Sequence, residues 1–382
     1  MCNGVWNNFM AVFIGSNIYR QASFGRNHPL SYGRQGAVLD MCRILGWLDD
    51  DNFITSPCAN IATLSRYHDL DYVQALQSAD MAAKVPVDVR KRYNFGTMEN
   101  PLFKGVFARA ATTVGGSVEA AKQALLGKVA FHPSGGTHHG MKNRAHGFCY
   151  FNDPVFAIFT LLDAGLERVL YLDIDAHHGD GVERAFLNEP RVGTVSIHEE
   201  NRWPYTGTIQ DQGPGRLNIP VPQGLGDSEF AYIFDQLILP YCENFAPQAV
   251  VITCGTDALA SDPLSKMNLS NGALWQAVMQ MKIRTEHLVV LGGGGYNPWT
   301  TVRAWVGLWG LITSNKLPET LPVNAQAILV KFDSDLIDEE DINPDWLTTL
   351  ADGSADEDIF VAEIGVAVKA RVKTLAAQHN LL

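Results

Sequence analysis

Short, β-branched apolar runs that end in polar or glycine-rich turns recur along this 382-residue chain, and they constrain its fold more than any other feature. The runs are 11–15, 128–132, 169–175, 194–198, 249–254 and 287–292. Nearly continuous apolar runs of this kind are typical of parallel strands that are buried on both faces. Helix-like segments alternate with them, for example 36–48, 155–164 and 271–285. The alternation predicts an α/β fold, a three-layer domain with a mostly parallel central sheet between helices.

No linker-like segment interrupts this alternation, so we predict a single domain over residues 1–382. The alternation ends near residue 315, and we expect residues of about 315–382 to form C-terminal covering helices. This tail contains an acidic stretch, 333–341, that we expect to be solvated surface.

The overall composition excludes several classes of protein. A hydrophobic share of 46% supports a large core, while a formal net charge of -12 argues against non-specific nucleic-acid binding. The apolar run 9–14 is too short for a signal core or a membrane span and is predicted to be the first strand. Six cysteines occur without a CxxC motif, which favours a reducing, cytoplasmic location without disulfides. The cysteines are at positions 2, 42, 58, 149, 242 and 254.

Polar residues cluster where the predicted strands end. The clusters are His132–His139, Asp173–Asp180, His198, Thr256–Asp262 and Gly292–Tyr296. Ligands of doubly wound sheets bind at the carboxyl ends of the strands. Loops that are distant in sequence are therefore expected to converge on one crevice.

The segment YLDIDAHHGDG, residues 171–181, carries the most informative pattern. Along an extended strand, residues two apart point the same way, so Asp173, Asp175 and His177 are predicted to share one side. Burying two carboxylates and an imidazole together is costly without a cation. A mixed nitrogen and oxygen ligand set suits zinc or iron(II). The alternative is a polar strand end with exposed charges.

The segment HPSGGTHHGMKNRAHGFCYFND, residues 132–153, places His138 and His139 after a glycine-rich loop. A single histidine is often a core residue, but two adjacent ones on a loop favour metal ligation or acid–base chemistry. A third segment, 254–270, offers Asp257 and Asp262 after a buried strand. Either carboxylate is suited to complete a metal site, and spacing alone does not choose between them.

The segment LGGGGYNP, residues 291–298, allows the backbone to approach a ligand closely. Tyr296 follows the glycines directly, and a phenol beside a metal can donate a hydrogen bond to a developing oxyanion. A phosphate cradle is the usual competitor for a glycine run. Neither GxxxxGK[ST] nor a GxGxxG that opens a helix after the first strand is present, and GxSxG is missing as well. A nucleotide site and a serine hydrolase are therefore disfavoured.

Together these segments resemble the histone deacetylase superfamily, in particular the bacterial branch that includes acetoin-utilisation deacetylases. The resemblance covers roughly residues 28–311 and rests on GGTHHG, GFCYFND, DIDAHHGDGVERAF, SDPLSKMNLS and GGGGYN, in this order. It implies an arginase/deacetylase type of fold and a zinc ion, with iron(II) as the alternative metal. It selects Asp262 over Asp257, so the implied metal ligands are Asp175, His177 and Asp262.

The resemblance also implies roles for the other polar residues. His138 and His139 match the tandem active-site histidines, Asp173 and Asp180 match the carboxylates behind them, and Tyr296 matches the transition-state tyrosine. The implied substrate channel consists of Phe148, Trp203, Gly147, the rim acid Glu99 and Arg34, which resembles the arginine of the internal acetate cavity. The implied potassium site consists of Asp173, Asp175, His177 and Ser196.

The chain departs from the family pattern at the channel entrance. The usual aromatic–Pro-Gly-Thr-Gly stretch is Trp203-Pro204-Tyr205-Thr206-Gly207 here, so tryptophan replaces phenylalanine and tyrosine replaces glycine. Near the rim, GTMENP is one residue longer than in eukaryotic members. The metal-ligand and proton-transfer positions keep the family residues.

We therefore expect a metal-dependent deacetylase that hydrolyses an acetyl-lysine-like amide in a peptide, a protein or a small acetylated amine. An acetylpolyamine deacylase is the alternative within the fold, and a non-catalytic acyl-ligand-binding protein is the alternative outside enzymes. An arginase-like ureohydrolase is disfavoured because its DxHxD arrangements are missing. Nucleic-acid and membrane partners are not expected, and the sequence leaves the oligomeric state open.

Overall fold

The computed structural model describes residues 10–21, 24–25, 28–30, 33–352 and 364–381. Within them, eight parallel strands form one sheet in the order β2-β1-β3-β8-β7-β4-β5-β6. The strands are β1 (Ala11–Gly15), β2 (Phe53–Thr55), β3 (Val129–His132), β4 (Val169–Asp173), β5 (Val192–Glu199), β6 (Arg216–Val221), β7 (Ala249–Thr253) and β8 (His287–Leu291). The predicted α/β class with a parallel central sheet is confirmed.

Helices connect the strands and cover the sheet. They are α1 (Arg34–Ile44), α2 (Ile61–Leu64), α3 (Leu70–Ala82), α4 (Val87–Tyr93), α5 (Val106–Leu125), α6 (Asp153–Asp163), α7 (Asp180–Phe186), α8 (Asp227–Ile233), α9 (Leu239–Phe245), α10 (Asn271–Lys282), α11 (Pro298–Ile312), α12 (Val323–Leu329) and α13 (Val366–Gln378). α8 and α9 form one continuous helical region, joined by a π-helical turn over Phe234–Ile238.

Two hydrophobic cores lie on opposite faces of the sheet, which explains why its strands are apolar throughout. In β4, Leu170 and Leu172 enter one core while Val169 and Tyr171 enter the other. Side chains alternate across a strand, so a strand that is covered on both faces needs apolar residues at successive positions. The central strands are therefore rigidly held, and they fix the positions of the loops that follow them.

The strands β2 and β6 were not predicted from the sequence. β2 has only three residues, which are half-buried or exposed, and it lies at one edge of the sheet. β6 lies at the other edge and carries Arg216, Asn218 and Pro220, which interrupt its apolar character. Proline is tolerated at edge strands because one side of such a strand needs no ladder hydrogen bonds.

The C-terminal segment packs its helices against the sheet layers. α12 contacts α1, and α13 contacts α8 and β6. The acidic stretch 333–341 is mostly exposed, as expected. The assignment of the whole chain to a single domain, with this tail as a covering segment, stays a prediction.

Two further features of the described residues bear on the sequence predictions. None of their helices is both long and apolar enough to cross a membrane. The cysteines among them, at 42, 58, 149, 242 and 254, are free thiols, and Cys2 lies outside the described residues.

Candidate active site

The candidate site lies at the carboxyl ends of four adjacent central strands, β3, β8, β7 and β4. The predicted convergence of distant loops is thus observed. The loop after β3 brings His138 and His139, β4 ends in Asp173 and leads into Asp180 at the start of α7, and Tyr296 lies between β8 and α11. All five side chains are buried.

His138 forms a tight pair with Asp173. Its Nδ1 donates to Asp173 Oδ2 at 2.7 Å, and the Tyr171 hydroxyl donates to the same oxygen at 2.7 Å. The other ring nitrogen of His138, Nε2, is 3.8 Å from Asp175 Oδ1. Burial lowers the pKa of His138, but the charges of Asp173 and Asp175 outweigh burial and raise this pKa to about 9. The His138 ring is therefore a cation at neutral pH.

His139 forms a second pair of similar geometry with Asp180. Its Nδ1 donates to Asp180 Oδ1 at 2.8 Å, and its ring centroid is 3.9 Å from that of His138. Burial lowers the pKa of His139 well below its usual value, and the positive charges of His138 and His177 lower it further. The His139 ring is therefore neutral, with Nδ1 carrying the proton and Nε2 free to accept one.

A third cluster lies where β4 gives way to a bend. The strand ends at Asp173, so the predicted extension through Asp175 is wrong. Instead, Asp175 N donates to Asp173 Oδ1 at 3.1 Å, and His177 N donates to Asp175 Oδ1 at 2.9 Å. Carboxylates that accept bonds from a backbone N–H two residues on favour such turns over strands. The bend still gathers the three predicted side chains at one place.

Of the two carboxylates that the sequence left open, Asp257 lies in this cluster and Asp262 lies next to it. Asp257 Oδ2 accepts from His177 Nδ1 at 2.9 Å, and ligand atoms of Asp175, His177 and Asp257 all lie within 4.8 Å of one another. Asp262 is not in that group. Its Oδ2 accepts from Tyr296 N at 2.7 Å and its Oδ1 from Leu264 N at 2.9 Å.

The donor chemistry of this cluster fits a divalent cation. Burial and the nearby charge of Asp257 raise the pKa of Asp262 to about 8, and burial also raises the pKa of Asp257. Several carboxylates that are buried together resist ionisation unless a cation compensates them. The one imidazole, His177, supplies nitrogen, so the set is the mixed nitrogen and oxygen type that zinc accepts.

The glycine-rich loop brings its backbone directly against these acids. Gly294 N donates to Asp175 Oδ2 at 2.7 Å, and a Cβ on Gly294 would collide with the Asp257 carboxylate. Gly293 has a φ of 151°, which suits glycine and few other residues. After the loop, Asn297 caps α11 by accepting from Trp299 N at 3.1 Å. Tyr296 lies between the glycine loop and the Asn297 cap, and its side chain lines the entrance cavity.

An entrance cavity of about 410 Å³ leads to these groups. Phe148 and Trp203 line it: Phe148 packs edge-on against Tyr296 at 5.9 Å, and Trp203 packs edge-on against His139 at 4.6 Å. Gly147 also lines the cavity, where a Cβ would meet His139. The predicted channel residues are thus brought together. Tyr205 lies at the mouth with 72% of its surface exposed.

The remaining predicted residues lie around this channel. Glu99 lines the entrance, and its Oε1 accepts from Gly147 N at 2.6 Å. Arg34 lies behind the glycine loop and donates to the carbonyl oxygens of Gly293 and Gly295, each at 2.9 Å. Ser196 is the register partner of Asp173 across β4 and β5, and its hydroxyl lies 2.9 Å from His198 Nδ1.

One neighbour of the site was missed by sequence reasoning. His146 Nδ1 lies 3.7 Å from Asp180 Oδ2, and its ring packs 4.7 Å from the Trp203 ring. That nitrogen is buried and has no hydrogen-bond partner among the described residues. The only sequence signal is a third histidine shortly after His138 and His139. Its contact with Asp180 depends on the loop geometry, which the sequence pattern does not specify.

Comparisons with known proteins agree with this geometry. A model of the histone deacetylase domain matches residues 28–312. The chain is 34% identical to the acetoin utilization protein AcuC of Bacillus subtilis (strain 168), over 78% of this chain and 81% of AcuC. It is 36% identical to the putative histone deacetylase 2 of Caenorhabditis elegans, over 78% of this chain but only 61% of the nematode protein.

Solved structures agree as well. The crystal structure of an HDAC homolog from Aquifex aeolicus superimposes with a TM-score of 0.90 at 34% identity, covering 96% of this chain and 99% of the homolog. A structure of an HDAC homolog complexed with SAHA superimposes equally well, with the same TM-score of 0.90 and the same coverage.

Proposed function

The chain belongs to the histone deacetylase family, and from that premise we propose that it is a zinc-dependent amidohydrolase that removes acetyl groups from lysine-like amines. The observation that carries the proposal is the pair of buried histidine–carboxylate dyads beside the metal-type cluster of Asp175, His177 and Asp257. His138 and His139 stack 3.9 Å apart, and His138 Nε2 lies 3.8 Å from Asp175.

We assign the metal to Asp175, His177 and Asp262. A zinc ion with three protein ligands would polarise the substrate carbonyl and acidify the attacking water. Asp257 then has a supporting role: its Oδ1 accepts from Ala176 N at 2.9 Å, which fixes the bend that carries Asp175 and His177. We assign potassium to Asp173, Asp175, His177 and Ser196, next to this centre.

The proton transfers fall to His139. Its neutral ring accepts a proton from the attacking water at Nε2, while the bond from Nδ1 to Asp180 holds the ring in that tautomer. The same Nε2 then gives its proton to the leaving amine. His138, paired with Asp173, gives electrostatic support to the reacting carbonyl. Tyr296 donates its hydroxyl proton to the developing oxyanion.

The channel residues support a linear, amine-bearing substrate. Phe148 and Trp203 line an entrance cavity whose aromatic walls suit an alkyl chain, and Glu99 at the rim is placed to accept a hydrogen bond from the substrate. An acetylated polyamine is the second candidate, because the bulk of Trp203 and Tyr205 at the mouth favours a slender substrate over a folded protein. Comparing kcat/KM for an acetyl-lysine peptide and for acetylputrescine distinguishes the two substrates.

The metal assignment is tested by elemental analysis of two matched variants, Asp262→Ala and Asp257→Ala. Asp262→Ala should lose most of its zinc, because a direct ligand is gone. Asp257→Ala should retain most of its zinc, because the residue acts through His177 and the backbone. If Asp257→Ala loses its zinc while Asp262→Ala stays fully loaded, the wrong carboxylate has been assigned.

A further inference from the structure

A second, inner cavity of about 90 Å³ lies behind the catalytic histidines. His138, Phe148 and Tyr296 form the wall that it shares with the candidate active site, and Arg34 and Arg109 line it as well. An acyl group whose carbonyl is held at the metal centre would therefore extend into this space. The properties of the cavity decide which acyl groups the enzyme accepts.

The two arginines are only partly satisfied by the protein. A guanidinium carries five N–H donors. Arg34 donates to two backbone carbonyls, and Arg109 Nη1 donates to Ile18 O at 3.2 Å. Their charged groups also lie over aromatic rings, Arg34 over Trp305 at 5.0 Å and Arg109 over Tyr19 at 5.2 Å. Donors remain on both groups that these contacts do not use.

The described residues provide no ion pair for either arginine. Asp153, whose charge acts on Tyr19, accepts bonds from Ser117, Gly136 and Thr137 instead. Phe24, Leu30 and Arg34 line the cavity, and the sequence from 21 to 34 contains no acidic residue. Burial lowers the pKa of Arg109, to about 10, so it remains a cation at neutral pH. Two neighbouring, poorly solvated cations that have no carboxylate partner in the described part of the chain favour the binding of an anion in the cavity.

We propose that Arg34 and Arg109 bind the carboxylate of a dicarboxylic acyl group, so that this enzyme hydrolyses amides of the succinyl-lysine class. The inference rests on the proposed amidohydrolase function and specifies its acyl substrate. Water breaks the amide C–N bond, and the products are the free amine and the dicarboxylic acid. Arg109 is the specificity-determining residue, because its positive charge on α5 adds to the positive charge of Arg34 on α1.

The test uses three peptides of one sequence that differ only at a central lysine, which is acetylated, succinylated or succinamoylated. Succinamoyl replaces the terminal carboxylate by a neutral amide of nearly the same shape, so the comparison isolates charge. Metal-loaded wild type should show kcat/KM at least about 10-fold higher for succinyl than for succinamoyl, since charge-assisted hydrogen bonds are worth that much or more. Arg109→Gln should abolish this preference, so that the succinyl and succinamoyl peptides have equal kcat/KM.

Two controls keep the result interpretable. Arg109→Lys retains the charge and should keep part of the preference, which separates charge from folding. Arg66→Gln removes a surface arginine that pairs with Asp163 and should behave as wild type. Calorimetric titration of the metal-loaded protein with succinate gives a readout that does not depend on turnover, and Arg109→Gln should weaken this binding about 10-fold.

Equal rates on succinyl and succinamoyl peptides in wild type, or a preference that survives in Arg109→Gln, would overturn the inference. So would a cavity that binds free acetate through Arg109 but shows no preference between these peptides, since it would then serve only the leaving acid. Failure of wild type on all three peptides would count against the proposed function itself, and the succinate titration would still test the cavity.

Discussion

The two histidine–carboxylate dyads use the same residue types at nearly the same distances, 2.7 Å for His138–Asp173 and 2.8 Å for His139–Asp180. Their protonation is nevertheless opposite. His138 lies among Asp173, Asp175 and Asp257, whose charges raise its pKa to about 9. In the metal-free protein, burial lowers the pKa of His139 well below its usual value, and the positive charges of His138 and His177 lower this pKa further.

This difference shows that hydrogen-bond geometry alone does not define a catalytic histidine. The carboxylate behind each ring sets its tautomer, whereas the surrounding charges set whether the second nitrogen carries a proton. A neutral ring that is held next to a permanent cation is suited to accept a proton, and the cation is suited to stabilise negative charge. We therefore expect the two rings to respond differently to the same substitution.

The largest expected effect is the loss of the general base. His139→Ala should lower kcat by about 10²–10⁴-fold, the usual contribution of a positioned base, while zinc content stays the same. His138→Ala, the matched control, should lose less because its role is electrostatic. Steady-state kinetics and elemental analysis of both variants measure this contrast. Equal losses would mean that the two rings share one role.

A smaller effect is expected at Tyr296, which lines the inner cavity together with both histidines. Tyr296→Phe removes one oxyanion donor, which typically costs about 10²–10³ in kcat. KM should hardly change, because the interaction forms only in the transition state. The loss should be smaller for a trifluoroacetyl substrate, whose electron-poor acyl group stabilises the oxyanion by itself. A raised KM with unchanged kcat would make Tyr296 a binding residue instead.

The smallest effect is on stability, and it should have opposite pH dependence at the two rings. In the metal-free protein, the raised pKa of His138 gives stability that is fully present below pH 6.5 and is lost as pH rises through about 9. This contribution of His138 to the free energy of unfolding is on the order of 3 kcal/mol. His139 has a lowered pKa, so its neutral native form loses stability as pH falls below 6.5.

Denaturant unfolding of metal-free wild type, His138→Ala and His139→Ala between pH 5 and 10 tests this assignment. The stability advantage of wild type over His138→Ala should shrink as pH rises. Its advantage over His139→Ala should shrink as pH falls. The same trend in both variants would show that the two rings do not differ in charge.

The sequence predicted those parts of the molecule that repeat a simple physical pattern. Six of the eight strands were recognisable because burial on both faces demands continuous apolar runs, as in β4 and β7. Edge strands escaped recognition, since β2 is short and β6 mixes polar residues and proline with apolar ones. An edge strand has an exposed side that does not require apolar residues, so its sequence shows a weaker apolar pattern.

The residues of the candidate site likewise divide into those that the sequence predicted and those that it missed. Asp173, Asp175 and His177 stood out because charged groups follow a buried run, and their grouping was predicted although the strand ends earlier than expected. The neighbours His146 and Arg109 carry no such pattern, because His146 meets Asp180 only through the folded shape of its loop and Arg109 reaches the inner cavity from α5. Spacing also left Asp257 and Asp262 undecided, since both follow β7 and both lie near His177.

The glycine loop after β8 limits how this enzyme can diversify. A Cβ at Gly292 would meet the backbone of Pro133, one at Gly293 would meet that of Gly255, and one at Gly294 would meet Asp257. Any residue larger than glycine is thus excluded at these three positions, on the side of the pocket that faces the metal ligands. The part of the inner cavity that α5 contributes is lined by side chains such as Arg109, which evolution can exchange one at a time. New acyl preferences should therefore arise on the helices while the loop sequence stays constant.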